Sequence, residues 1–116
     1  MRAGGAARPS TSTTCTPGAC VSNHRRTSGT AWGGGGGDTL IGGNGNDHLY
    51  GGFGLDLLKG MGGNDTLDGG ERTDSLAGGA GDDVLIMTDG EKDFYDGGTG
   101  TNTFSKDPID VYKPLP

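Results

Sequence analysis

A period of nine residues governs the middle of this 116-residue chain. The pattern Gly-Gly-x-Gly-x-Asp-x-Leu-x repeats six times without a gap, in blocks beginning at Gly33, Gly42, Gly51, Gly60, Gly69 and Gly78. The sixth position holds Asp38, Asp47, Asp56, Asp65, Asp74 and Asp83. The eighth holds Leu40, Leu49, Leu58, Leu67, Leu76 and Leu85. A short fixed period makes each block a unit that buries its apolar residue only against neighbouring blocks, which is a stacked repeat rather than a globular core. One leucine per block makes that core thin.

Each block divides in two. Its first six residues form a glycine-rich turn, because the backbone angles of such turns are closed to most residues with a Cβ. Its last three, such as Thr39-Leu40-Ile41 and Val84-Leu85-Ile86, form a short strand. Alternation along that strand sends the leucine inward and residues such as Thr39, His48, Thr66 and Ser75 toward solvent. Met61 replaces the second glycine of the fourth block, and Arg72 replaces the fourth-position glycine of the fifth.

Two looser copies follow. Thr88 to Asp96 keeps Asp93 at the sixth place and Tyr95 at the eighth, but Met87 stands as an extra residue before it and is expected to shift Asp93 out of register. Gly97 to Ser105 has Asn102 in place of the acid and Phe104 in place of the leucine. In the other direction, the block His24 to Trp32 has Gly29 where the acid belongs. The repeat is therefore expected to begin abruptly at Gly33, with Trp32 covering its first turn.

These blocks, GGGGGDTLI, GGNGNDHLY, GGFGLDLLK, GMGGNDTLD, GGERTDSLA and GGAGDDVLI, resemble the RTX family of secreted bacterial toxins and hydrolases with nonapeptide repeats. The likeness covers residues 33–105. It implies an all-β fold, a parallel β-roll in which two nonapeptides make one turn. Eight blocks then give about four turns and a length of roughly 19 Å at strand spacing. The implied layout is a disordered low-complexity arm over 1–32, a roll over 33–105 and a C-terminal cap or tail over 106–116. Phe94, Tyr95, Phe104, Val111, Tyr112 and Leu115 gather at that end, and a cap over the last turn is the role expected of them; a partner-binding patch is the other reading.

The resemblance also implies calcium. Each ion would sit between two loops on the same side, held by sixth-position aspartates and loop carbonyls. The residues so implied are Asp38, Asp47, Asp56, Asp65, Asp74, Asp83 and Asp93, with Gly34, Gly36, Gly43, Gly45, Gly52, Gly54, Gly63, Gly79 and Gly81. Four pairs follow: Asp38 with Asp56, Asp56 with Asp74, Asp47 with Asp65, and Asp65 with Asp83. Asp74 with Asp93 and Asp83 with Asn102 would bring the total to six.

The chemistry of the residues agrees. Stacked loops bring like charges together at a cost of about 1 kcal/mol per pair in water, and more where water is excluded. Ordering glycine-rich loops adds an entropic cost. One leucine per nine residues does not offset both. Calcium reverses the electrostatic term and takes six to eight hard oxygens in flexible geometry. Zinc and copper would need a Cys or His cluster. No twelve-residue loop ends in the glutamate of an EF-hand.

Composition narrows the function further. Only 29% of the chain is hydrophobic, too little for a conventional core. Residues 1–32 carry four arginines and no acid; the remainder carries five bases and all fifteen acids, thirteen of them aspartate. The net charge of −6 and the lack of clustered Lys and Arg disfavour nucleic acid. No run is long enough to span a membrane, and the N-terminus has no apolar core of a signal peptide. RTX relatives leave the cell by type I secretion with an uncleaved C-terminal signal; here the tail is Lys106 to Pro116. Cys15 and Cys20 flank a Pro-Gly turn that would let them bridge, the other reading being two inert thiols. His24 and His48 form no pair, Asn64-Asp65-Thr66 reads as a chance glycosylation sequon, and no His-Glu-x-x-His, Gly-x-Ser-x-Gly or Gly-Lys-Ser/Thr sequence occurs. The expected protein is a secreted, monomeric, non-catalytic calcium-binding module that folds on binding the ion. A fragment of an RTX hydrolase and an adhesion element are the alternatives.

Overall fold

The computed structural model describes residues 12–14 and 29–114. The described residues form eleven strands and no helix: β1 Ser12–Thr14, β2 Thr30–Gly34, β3 Thr39–Gly43, β4 His48–Gly52, β5 Leu57–Met61, β6 Thr66–Asp68, β7 Ser75–Ala77, β8 Val84–Met87, β9 Phe94–Asp96, β10 Thr103–Lys106 and β11 Val111–Tyr112. They lie in two sheets, ordered β1-β2-β4-β6-β8-β10 and β11-β9-β7-β5-β3. From β2 onward the chain crosses from one sheet to the other after every strand. Every ladder is parallel. This is the expected parallel roll, a β-solenoid of about 5 turns.

The register repeats the sequence period. Leu40 lies beside Leu58 and Leu58 beside Leu76 in one sheet; Leu49, Leu67 and Leu85 align in the other. All six leucines are fully buried, together with Ala31 and Met87. A column of identical side chains stays in register because a slip of one residue would turn every leucine to solvent. Burying a leucine contributes about 2 kcal/mol. Single-leucine layers therefore give a modest core, and the loops decide the rest.

The ladder runs past both boundaries expected from the repeat. At the N-terminal end, β2 pairs with β4 and places Ala31 opposite Leu49, while β1 pairs with β2 with Thr13 opposite Ala31. Gly29 also follows the pattern, donating its N–H to Asp47 Oδ1 at 2.9 Å. Strand pairing needs backbone groups and a small inward residue rather than the consensus acid, so the roll does not begin at Gly33. Trp32 is 40% exposed and stacks on Tyr50 at 5.9 Å instead of covering an end. Residues 1–11 and 15–28, with both cysteines and most of the expected disordered arm, lie outside the described residues. Ser12–Thr14 and Thr30–Gly34 are strands of the sheet.

At the C-terminal end, β11 pairs with β9, and Asp93 N–H donates to Asp110 Oδ1 at 2.9 Å. The tail thus adds another half-turn to the stack. The aromatic cluster forms around Tyr95, 5.0 Å from Phe104 and 5.9 Å from Tyr112. Phe104, Val111 and Tyr112 nevertheless remain exposed. Leu115 lies outside the described residues. Met87 does not displace Asp93. Ser75 lies beside Phe94 and Leu76 beside Tyr95, so the extra residue is absorbed in the loop between β8 and β9. Loop backbone tolerates an insertion that a strand ladder would not.

Candidate cation-binding loops

The loops lie along the two edges of the roll, where the chain leaves one sheet for the other. Their glycines meet a geometric requirement. In the loops of the consensus blocks, Gly34 and Gly36, Gly43 and Gly45, Gly52 and Gly54, Gly63, and Gly79 and Gly81 have φ between 86° and 119°. Met61 and Arg72, the two departures from the pattern, keep the same conformation at φ 80° and 88°. Register with the loops above and below imposes it, and the side chain bears the strain. Gly70 belongs to this set as well, at φ 89°.

The sixth-position aspartates form the two expected columns, bound in a way that the sequence did not reveal. Each donates its backbone N–H to the carboxylate of the aspartate one turn later. Asp38 N–H bonds Asp56 Oδ1 at 2.8 Å, Asp56 bonds Asp74 at 2.8 Å, and Asp74 bonds Asp93 at 2.7 Å. In the other column Asp47 bonds Asp65 at 2.7 Å and Asp65 bonds Asp83 at 2.8 Å. Asn102 takes the next place, its Oδ1 accepting from Asp83 N–H at 2.8 Å. The one available signal was the constant use of Asp rather than Glu, whose longer side chain would overreach the neighbouring N–H.

This leaves the second oxygens. Oδ2 of Asp38, Asp56, Asp65, Asp74, Asp83 and Asp93 is buried without a hydrogen-bond partner. A buried ionised oxygen with no partner is costly. Burial accordingly raises these carboxyl groups: Asp56 and Asp93 to about 6, Asp65 to about 7 and Asp74 to about 8, with neighbouring aspartates adding to the rise and the backbone N–H bond opposing it. Burial raises Asp38 and Asp83 also.

Backbone oxygens stand near the orphaned ones. The position that a Cβ on Gly33 would take lies 2.5 Å from Gly51 carbonyl oxygen and 2.7 Å from Asp38 Oδ2. On Gly51 it lies 2.5 Å from Gly69 carbonyl oxygen and 2.6 Å from Asp56 Oδ2. Hard oxygens from successive turns thus converge beside a residue that must be glycine. Such a donor set suits a hard divalent cation bound at roughly 2.3–2.6 Å. Among the described residues no three acidic, His or Cys side chains gather where they could hold a metal ion. A cation would therefore draw on carbonyls as well as on pairs of carboxylates.

A second ladder runs on one edge only. Asn64 N–H donates to Asn46 Oδ1 at 2.7 Å, Asp82 N–H to Asn64 Oδ1 at 2.8 Å, and Thr101 N–H to Asp82 Oδ1 at 2.8 Å. The opposite edge has Gly37, Leu55 and Thr73 at the corresponding fifth positions. The recurrence of asparagine at 46 and 64 was the readable sign of it.

The model of the RTX calcium-binding nonapeptide repeat (4 copies) matches residues 32–67, 59–91 and 68–104. The chain belongs to the RTX calcium-binding repeat family. RTX repeats are calcium-binding structural modules rather than catalytic ones, so the family assigns calcium to this roll in general terms. No curated protein and no solved structure matches the RTX chain. No helix among its described residues is long and apolar enough to cross a membrane.

Proposed function

We propose that this RTX chain is a non-catalytic calcium switch: a secreted module whose roll forms when calcium is present and comes apart when it is withdrawn. The observation that carries this reading is the series of buried, unpartnered Oδ2 atoms in the two aspartate columns. Asp38, Asp56, Asp74 and Asp93 would hold ions along one edge, and Asp47, Asp65 and Asp83 along the other. The glycine loops containing Gly34, Gly36, Gly43, Gly45, Gly52, Gly54, Gly63, Gly79 and Gly81 would add carbonyl oxygen. The four pairs among Asp38, Asp56 and Asp74 and among Asp47, Asp65 and Asp83 give four sites. Asp74 with Asp93 and Asp83 with Asn102 extend the number to six.

Bound calcium supplies positive charge between carboxylates that would otherwise repel. The protein supplies the rest. The Oδ1 to N–H bonds aim the carboxylates that follow Asp38, the leucine column fixes the spacing of the turns, and the left-handed glycines let successive loops bond backbone to backbone, as Phe53 N–H does to the Gly34 carbonyl oxygen. A chain that orders only in calcium suits export through a type I secretion channel, unfolded inside the cell and folded outside.

Circular dichroism with calcium titration tests the reading. Strand signal should rise with calcium, fall with chelator and respond poorly to magnesium, which demands tighter octahedral geometry. A spectrum that excess chelator leaves unchanged would overturn it.

A further inference from the structure

The two ends of the roll differ. At the N-terminal end β3 is the last strand of its sheet, yet its inward Leu40 is fully buried, as is Ala31 of β2. At the C-terminal end β10 and β11 are the last strands, and neither has a partner on its outer side among the described residues. Phe104 lies beside Leu85 and Tyr112 beside Tyr95, so both occupy positions of the core columns. The leucines of those columns are 0% exposed, whereas Phe104 is 38% and Tyr112 57% exposed. Ile109, in the turn joining β10 to β11, adds a third exposed apolar side chain.

This open end is held in shape. The ring of Tyr95 lies 5.0 Å from that of Phe104 and 5.9 Å from that of Tyr112. Asp110 ties the turn to the roll, accepting from Asp93 N–H through Oδ1 at 2.9 Å and from Asp107 N–H through Oδ2 at 2.6 Å. A patch already ordered loses little entropy when it is covered. Charge sets the end apart as well. Residues 33–102 carry thirteen acids and three bases, whereas residues 103–116 carry two of each. Two copies of the acidic body repel one another. Their C-terminal ends meet without that penalty.

We propose that two copies of this chain associate tail to tail through Phe104, Ile109 and Tyr112. An apolar end fits a second copy of itself, because one surface serves both sides of a twofold contact and the assembly closes at two. Head-to-tail stacking would instead set the open end against an end whose inward residues are already covered. Pro108 and Pro114 follow β10 and β11 and stop the sheets from lengthening past them. Side-chain packing therefore carries the contact. An end two strands wide is small beside the roughly 1,200–2,000 Å² of a stable interface, so the dimer forms at high protein concentration. It needs the folded roll, and in that respect it rests on the calcium reading above.

Sedimentation equilibrium of the full chain in saturating calcium, over a series of protein concentrations, tests this. A monomer–dimer equilibrium is expected. Tyr112→Ser and Ile109→Ser should each weaken the dimer about ten- to a hundred-fold, since a twofold contact loses the side chain on both sides. Ile109 is exposed and outside the core columns, so its variant keeps the fold. Phe53→Ser removes a comparably exposed ring from a loop of the third block and should leave association unchanged. A monomer at every concentration would overturn the contact. So would species that grow beyond two, a dimer indifferent to both end variants, or a loss in Phe53→Ser matching theirs. Circular dichroism of the same samples separates the two readings. A chain that gains strand signal with calcium yet stays monomeric sinks the contact alone; one that gains none and stays monomeric sinks both.

Discussion

The backbone N–H of Asp65 and the side-chain Oδ1 of Asp83 meet at 2.8 Å across 18 residues of sequence. Asp56, Asp65, Asp74, Asp83 and Asp93 thus each have two duties, one oxygen tying adjacent turns together and the other left for a cation. Asn102 performs the first duty without a charge, accepting from Asp83 N–H at the same 2.8 Å.

Asparagine should therefore separate the two duties. Asp65→Asn is expected to keep the inter-turn bond and raise the calcium midpoint for folding. Asp65→Ala should raise the midpoint further and also lower stability at saturating calcium by about 1–3 kcal/mol, because Asp47 N–H is left buried and unpaired. Urea titration at fixed high calcium measures the difference. Identical stability of the two variants there would count against a structural role for Oδ1. Asp56→Ala and Asp65→Ala, each between two neighbours, should shift the calcium midpoint more than Asp38→Ala.

Met61 and Arg72 sit at positive φ without the freedom of glycine. Met61→Gly and Arg72→Gly should each stabilise the calcium-loaded roll by about 1 kcal/mol, the scale of left-handed strain for a residue with a Cβ. A rise in thermal midpoint at saturating calcium checks this, and an unchanged or lower midpoint would refute it.

Gly52 and Gly90 share the left-handed conformation, at φ 94° and 85°, but differ in surroundings. A Cβ on Gly52 would run into the carbonyl of Gly34, whereas one on Gly90 meets nothing within 4 Å. Gly52→Ala should raise the calcium midpoint and lower stability beyond the cost of strain alone, without abolishing folding, since Met61 carries a Cβ at the same place in its block. Gly90→Ala should cost only the backbone strain, about 1 kcal/mol. Calcium midpoints of the two variants by circular dichroism distinguish steric crowding from conformational preference.

Burial lifts Asp56, Asp65, Asp74 and Asp93 from 3.8 to between about 6 and about 8 in the cation-free roll. The folded state then holds protons that the unfolded chain releases, so stability from these groups is fully present below about pH 4 and is lost as pH rises toward 8. In calcium-stripped buffer the strand signal should be greater at pH 4.5 than at pH 8. Calcium should reverse that order by taking the place of the protons. A metal-free signal that grows with pH between 4 and 8 would refute the assignment.

The sequence by itself determined the period, and the period determined most of the fold. Aspartate and leucine in fixed phase specify turn and strand, inward and outward faces, and two columns of acids, because each block meets the same surroundings as the next. It also marked Met61 and Arg72 as departures. Tertiary structure decided where the stack ends. Gly29, Ala31 and Asp110 occupy repeat positions without a consensus block around them, since a parallel ladder recruits any backbone whose inward residue fits. Tertiary structure also decided what each carboxylate oxygen does. The bond from one aspartate's N–H to the next one's Oδ1 joins residues that touch only after a full turn closes. For the same reason Met87 looked like a break in register on the page. In the roll its extra residue bulges into a loop, and Asp93 keeps its place.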